Sequence, residues 1–163
     1  MNIPRKAIPI YLVTITYMMF IFYLSSGDRL HGSGSPGGVS LEKLDHIVEF
    51  GILGALLFLS FHLTPLDYSF LKGLSGLKLQ NEFRCSLVIG GLYGLSDEIH
   101  QAFVPGRKAN PFDLIADIFG VVVGIVIMIW LLDYYSTMKN KEKTKKNSTK
   151  AKIEEDQGEK ECP

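Results

Sequence analysis

The chain has two cysteines in 163 residues. Cys85 opens an apolar run and Cys162 lies in a polar tail, so neither a disulfide framework nor a cysteine-built zinc site is expected. No glycine-rich phosphate loop, serine elbow or cysteine–histidine arrangement is present, and no pair of histidines stands at zinc-protease spacing. No catalytic residue can be assigned on a motif. Net charge is absent too, with 17 Lys and Arg against 17 Asp and Glu. That balance conceals a skew, because lysines crowd the segment after 139 and acids follow them. The tail carries no folded basic surface and no aromatic platform, so nucleic acid is not an expected partner.

What the sequence has in quantity is apolar length. Residues 8–24 form an uncharged run close to the span of a bilayer core. A signal peptide has a similar plan, with Arg5 and Lys6 ahead and Ser25, Ser26 and Gly27 behind. The length and the aromatics Tyr11, Tyr17, Phe20, Phe22 and Tyr23 favour a retained helix. After a glycine- and serine-rich loop at 25–40, further spans are expected at 41–63, 84–104 and 111–132. Pro65 ends the second, and Pro111 suits the first turn of the fourth. Leu66, Phe70, Leu74 and Leu77 recur at helical spacing, but Gly73 and Gly76 intervene, so 66–83 reads as an interfacial segment. Trp130, Tyr134 and Tyr135 form an aromatic anchor.

The expected fold is an all-α membrane protein: a four-helix transmembrane domain at 1–136 and a disordered Lys/Glu-rich tail at 137–163. The basic part of that tail can lie on anionic lipid. Arg5 and Lys6, then Lys72, Lys78 and Arg84, then the lysine tail all fall on one side of four spans, which the positive-inside tendency makes cytoplasmic. Both termini are thus expected in the cytoplasm. Arg29, Lys43, Arg107 and Lys108 run against this assignment and are outnumbered.

With that topology the polar residues of the spans gather at one depth on the outer face. Asp45, His46 and Glu49 open the second span. Asp97, Glu98, His100 and Gln101 close the third, and Asp113 and Asp117 open the fourth. Ionisable groups in a membrane face a protein interior or a wet cavity. Gly90, Gly94, Asp97 and Gln101 share one helical stripe, as do Asp113, Asp117, Gly120 and Gly124, so the acids point towards other helices. Gly51 and Ala55 can serve the second span in the same way.

Each of these residues has a plainer role open to it. Asp45, His46 and Asp113 sit near helix ends and can reach headgroups, and Asp113 suits the helix dipole. Arg107 can be a structural clasp. A metal site drawn from His46, Glu49, Asp97, Glu98 and Asp117 is chemically conceivable. No metal or other cofactor is expected, however, and Glu98 and His100, two apart, diverge on a helix. His31 and His62 read as surface or interfacial histidines. The inner halves of the spans lack relay groups, which disfavours a proton pathway.

Three blocks carry a family resemblance: Lys43-x-x-His46-x-x-x-Phe50-x-x-x-Gly54, then Asp97-Glu98-x-x-Gln101-x-x-x-Pro105-Gly106-Arg107, then Asp113-x-x-x-Asp117-x-x-Gly120-x-x-x-Gly124. Over 42–124, and more loosely over the first span and its Ser25-Ser26 end, the chain resembles the VanZ-like family. Phe50 stands where that family often has tyrosine, and Asp117 where it often has asparagine. The resemblance implies a bacterial, multi-pass protein of the cytoplasmic (inner) membrane, in a family associated with resistance to glycopeptides such as teicoplanin. On that basis the expected function is modulation of the cell envelope or of glycopeptide susceptibility. An outward acidic pocket made from Lys43, His46, Glu49, Asp97, Glu98, Gln101, Arg107, Asp113 and Asp117 would bind a lipid, a cell-wall precursor or a lipophilic glycopeptide. Its carboxylates would take a cationic group, and Arg107 a phosphate or carboxylate. A lipid-headgroup enzyme and a structural partner subunit remain open as alternatives.

Overall fold

The computed structural model describes residues 4, 5, 7–27, 41–64, 78–105 and 110–160. Four helices occupy them: α1 (Ile8–Ser26), α2 (Leu41–His62), α3 (Lys78–Phe103) and α4 (Pro111–Lys160). The described residues are all-helical, with no strand. Contacts divide the chain into two units, Met1–Met128 and Ile129–Pro163.

In the first unit, the contacts fix the directions of the helices. Tyr11 near the start of α1 meets Thr64 just beyond α2, and Ser26 at the end of α1 meets His100 near the end of α3. So α1 runs antiparallel to α2 and parallel to α3. Gly120 and Gly124 of α4 pass Ile47 and Gly51 of α2 in the same order, while Gly90 and Gly94 of α3 pass Val121 and Asp117 in reverse. The start of α2, the end of α3 and the start of α4 therefore share one end of the unit.

Burial is inverted relative to a water-soluble domain. Among the described residues, large apolar side chains such as Met19, Val48, Leu92, Phe112 and Ile115 are exposed. The buried set includes Thr14, Ser60, Ser86, Asp97, Gln101 and Asp117 beside the apolar Phe50, Leu53, Phe58 and Val121. A lipid solvent explains this, because apolar surface costs nothing there and polar groups must find partners inside. Thr14 Oγ1 and Ser60 Oγ meet at 3.0 Å, Tyr17 donates to the Glu49 carbonyl at 3.1 Å, and Tyr93 donates to the Met18 carbonyl at 2.5 Å. Such interhelical bonds contribute roughly 0.6 kcal/mol each in a membrane.

Among the described residues, three helices are long and apolar enough to cross a membrane: α1, α2 and α4. This is one fewer than the four spans expected from sequence. The 26-residue α3 has the length, but polar side chains weight both of its ends. Glu82 is buried at one end, and Asp97, Glu98 and Gln101 are buried at the other. It also starts at Lys78 rather than at 84, so 78–83 belongs to α3; 65–77 lie outside the described residues. His62 Nδ1 pairs with Glu82 Oε2 at 3.0 Å while the His62 side chain stays 38% exposed, so this surface or interfacial histidine also partners α3.

The second unit holds the remainder of α4 and differs from expectation. Residues 137–160, for which the composition predicts disorder, are helical through Lys160. Lysine, glutamate and glutamine are strong helix formers, and no proline interrupts the segment. Trp130 and Tyr134 stack with ring centroids 5.9 Å apart, and Tyr135 is exposed beside them. Cys85 is a free, half-buried thiol, while Cys162 lies outside the described residues.

Candidate functional site

The polar end of the first unit depends on close helix approach. A Cβ on Gly124 would strike the Gly51 carbonyl of α2, with the Gly51 carbonyl carbon at 2.6 Å. A Cβ on Gly94 would lie 3.1 Å from Asp117 Cβ and 3.2 Å from its Oδ2. Only glycine lets α4 sit this near both neighbours, and that nearness brings charged groups from three helices together.

The centre of the cluster is His46 on α2, Asp97 on α3 and Asp117 on α4. Their relative exposures are 2%, 4% and 0%. His46 Nδ1 lies 2.9 Å from Asp117 Oδ1, and the imidazole stacks over Phe50 with centroids 6.5 Å apart. Gln101, one turn from Asp97, donates from Nε2 to Asp97 Oδ2 at 2.7 Å. One donor atom from each of His46, Asp97 and Asp117 lies within 4.8 Å of the others.

A second layer ties α3 to the start of α4. Glu98 Oε2 accepts the Asn110 backbone N–H at 2.8 Å. Asn110 caps α4, its side-chain Oδ1 accepting from Phe112 N at 3.1 Å and its Nδ2 donating to Asp113 Oδ1 at 3.3 Å. An Asn-Pro pair at a helix start carries that signature in the sequence, because asparagine caps well and proline suits the next position. Asn110 nevertheless goes unmarked when attention falls on charge.

Within this cluster, Glu98 Oε1 and Asp117 Oδ2 are buried without a hydrogen-bond partner among the described residues. A buried polar atom left without a partner is costly. No described Lys or Arg forms an ion pair with Asp97, Glu98, Asp113 or Asp117; the ion pairs among described residues join His46 to Asp117 and His62 to Glu82.

Of the residues singled out from sequence, the structure gathers His46, Asp97, Glu98, Gln101, Asp113 and Asp117 as buried groups at one end. Lys43 is half-buried, and its Nζ sits 5.2 Å above the Phe112 ring. Glu49 is half-buried and contributes its carbonyl to Tyr17, and Asp45 is exposed. His100 turns towards α1, meeting Ser26 Oγ at 2.9 Å and the Phe22 ring at 4.2 Å, so it diverges from Glu98. Arg107 and Lys108 lie outside the described residues, and so does His31.

No curated protein and no solved structure shows significant similarity to the chain. A protein-family model, VanZ/LLP1, matches residues 3–132, which takes in α1, α2, α3 and the start of α4 together with every buried acid of the cluster. The chain belongs to the VanZ/LLP1 family.

Proposed function

We propose that this protein modulates the bacterial cell envelope, and with it susceptibility to glycopeptides of the teicoplanin type, from within the cytoplasmic membrane. In this reading α3 is a fourth span. Its polar ends are tolerated because they pack against other helices, and both termini face the cytoplasm as the positive-inside tendency requires. The polar end formed by α2, α3 and α4 then faces outward, where lipid headgroups, cell-wall precursors and lipophilic drugs are found. Family membership supports the membrane setting and the association with resistance.

The observation that carries the pocket is the pair of unpartnered oxygens, Glu98 Oε1 and Asp117 Oδ2, to which no described Lys or Arg is ion-paired. Acceptors in that condition match the cationic group of an incoming molecule. The test is teicoplanin susceptibility in a sensitive Gram-positive host carrying empty vector, wild type or Glu98→Gln, with membrane levels matched. Protection by wild type that disappears in Glu98→Gln is the expected result. Protection of equal size in both would remove the pocket from the function.

A structural reading has one observation in its favour. The Glu98–Asn110, His46–Asp117 and Asn110–Asp113 bonds join helices or cap them, as a mere lock would. Under it, losses of protection would follow losses of abundance in parallel.

A further inference from the structure

We infer that His46, Asp97 and Asp117 form a binding site for one divalent first-row cation of the zinc or manganese kind. The inference takes from the proposed function only that the cluster is a binding site, and it is tested without any envelope ligand.

Three helices each supply one donor residue, and the donor atoms lie within 4.8 Å of one another. Metal–nitrogen and metal–oxygen bonds of about 2.0–2.2 Å place the donors of a tetrahedral ion about 3.4 Å apart. Closing the site therefore needs donor shifts of under about 1 Å, well within side-chain rotation. An imidazole with two carboxylates selects this group of metals, whereas magnesium and calcium prefer oxygen donors alone.

Charge and partner counts agree. Asp97 and Asp117 bring two negative charges, which a divalent ion neutralises while a neutral His46 supplies a lone pair. Asp113 and Glu98 lie within electrostatic reach and reinforce the attraction for a cation. Asp117 is fully buried, and its Oδ2 has no hydrogen-bond partner among the described residues. That oxygen lies on the α3 side of Asp117, beside Gly94 and one helical turn from Asp97 on the same helix. Gln101 already donates to Asp97 Oδ2 at 2.7 Å, which orients that carboxylate as outer partners orient metal ligands. Where His46 binds through Nδ1, the proton it shares with Asp117 leaves as the metal enters.

The test uses the full chain, purified in detergent with any affinity tag removed, stripped with chelator and then equilibrated with zinc. Bound metal is measured by elemental analysis, and cobalt substitution reads the ligand geometry from its visible absorption. Wild type should retain about one zinc per chain. Asp97→Asn and Asp117→Asn should each weaken binding by about tenfold or more, and Glu142→Gln, on the exposed surface of the second unit, should not. Zinc should raise the melting temperature of wild type and leave both Asn variants unmoved, while circular dichroism shows all of them equally helical. Wild type without stoichiometric zinc overturns the inference. So does equal zinc affinity in wild type and both Asn variants, which would place the metal on the Lys/Glu segment instead.

Discussion

Adding one methyl group to Gly124 tests whether close helix approach builds the site. The Cβ of Gly124→Ala would meet the Gly51 carbonyl, with the carbonyl carbon at 2.6 Å and Gly51 Cα at 3.0 Å. These are backbone atoms, so no side chain can swing aside. Ordinary contact begins near 3.4 Å, and the carbonyl oxygen lies nearer than its carbon, so α4 and α2 must separate by more than 1 Å to reach it. A gap of that size forfeits about half or more of each dispersion contact along the seam. The overpacking cost is about 3 kcal/mol, the upper end of its usual range. Replacing glycine by alanine inside a helix returns about 1 kcal/mol. The net loss is about 2 kcal/mol. Gly91→Ala is the control, since its nearest neighbour would be Ile118 Cγ1 at 4.0 Å, and it should be neutral or stabilising by up to about 1 kcal/mol. Reversible unfolding in mixed micelles gives both values. Equal stability of Gly124→Ala and wild type, or equal loss in both variants, would refute the packing argument.

Two further outcomes follow from the same geometry. His46→Ala leaves the fully buried Asp117 without its partner and should destabilise the protein by about 3 kcal/mol, read in the same unfolding assay. Asn110→Ala removes the side-chain cap of α4 but keeps the backbone N–H that Glu98 accepts. It should cost about 1 kcal/mol and speed hydrogen exchange at the Phe112 amide, measured by mass spectrometry.

The helices were legible where apolar runs were long: α1, α2 and the first part of α4 begin close to where hydropathy, Pro65 and Pro111 place their boundaries. The start of α3 was not legible. Lys78, Glu82 and Arg84 read as interfacial because the partner that accommodates Glu82 is His62, distant in sequence. The helix at 137–160 was obscured for a different reason. Lysine- and glutamate-rich composition has little to bury, which argues for disorder, yet the same residues have high helix propensity. At the site, spacing alone aligned Asp97 with Gly94 and Asp117 with Gly120, and these pairs do face neighbouring helices. Spacing could not show that Lys43 sits over Phe112 or that His46 selects Asp117, since those choices depend on helix rotation. Asn110 was missed although its cap-then-proline signature stands in the sequence.

The proposed role of the cluster on α2, α3 and α4 is to bind a ligand, beyond locking helices together. Its most direct test is teicoplanin susceptibility plotted against membrane abundance for wild type, Glu98→Gln and Gly124→Ala. Glu98→Gln keeps the oxygen that accepts from Asn110 and should stay as abundant as wild type while losing protection. Gly124→Ala should lose protection only in proportion to its abundance. If wild type protects and both variants fall on one line of protection against abundance, the cluster is a structural lock and the pocket reading is wrong.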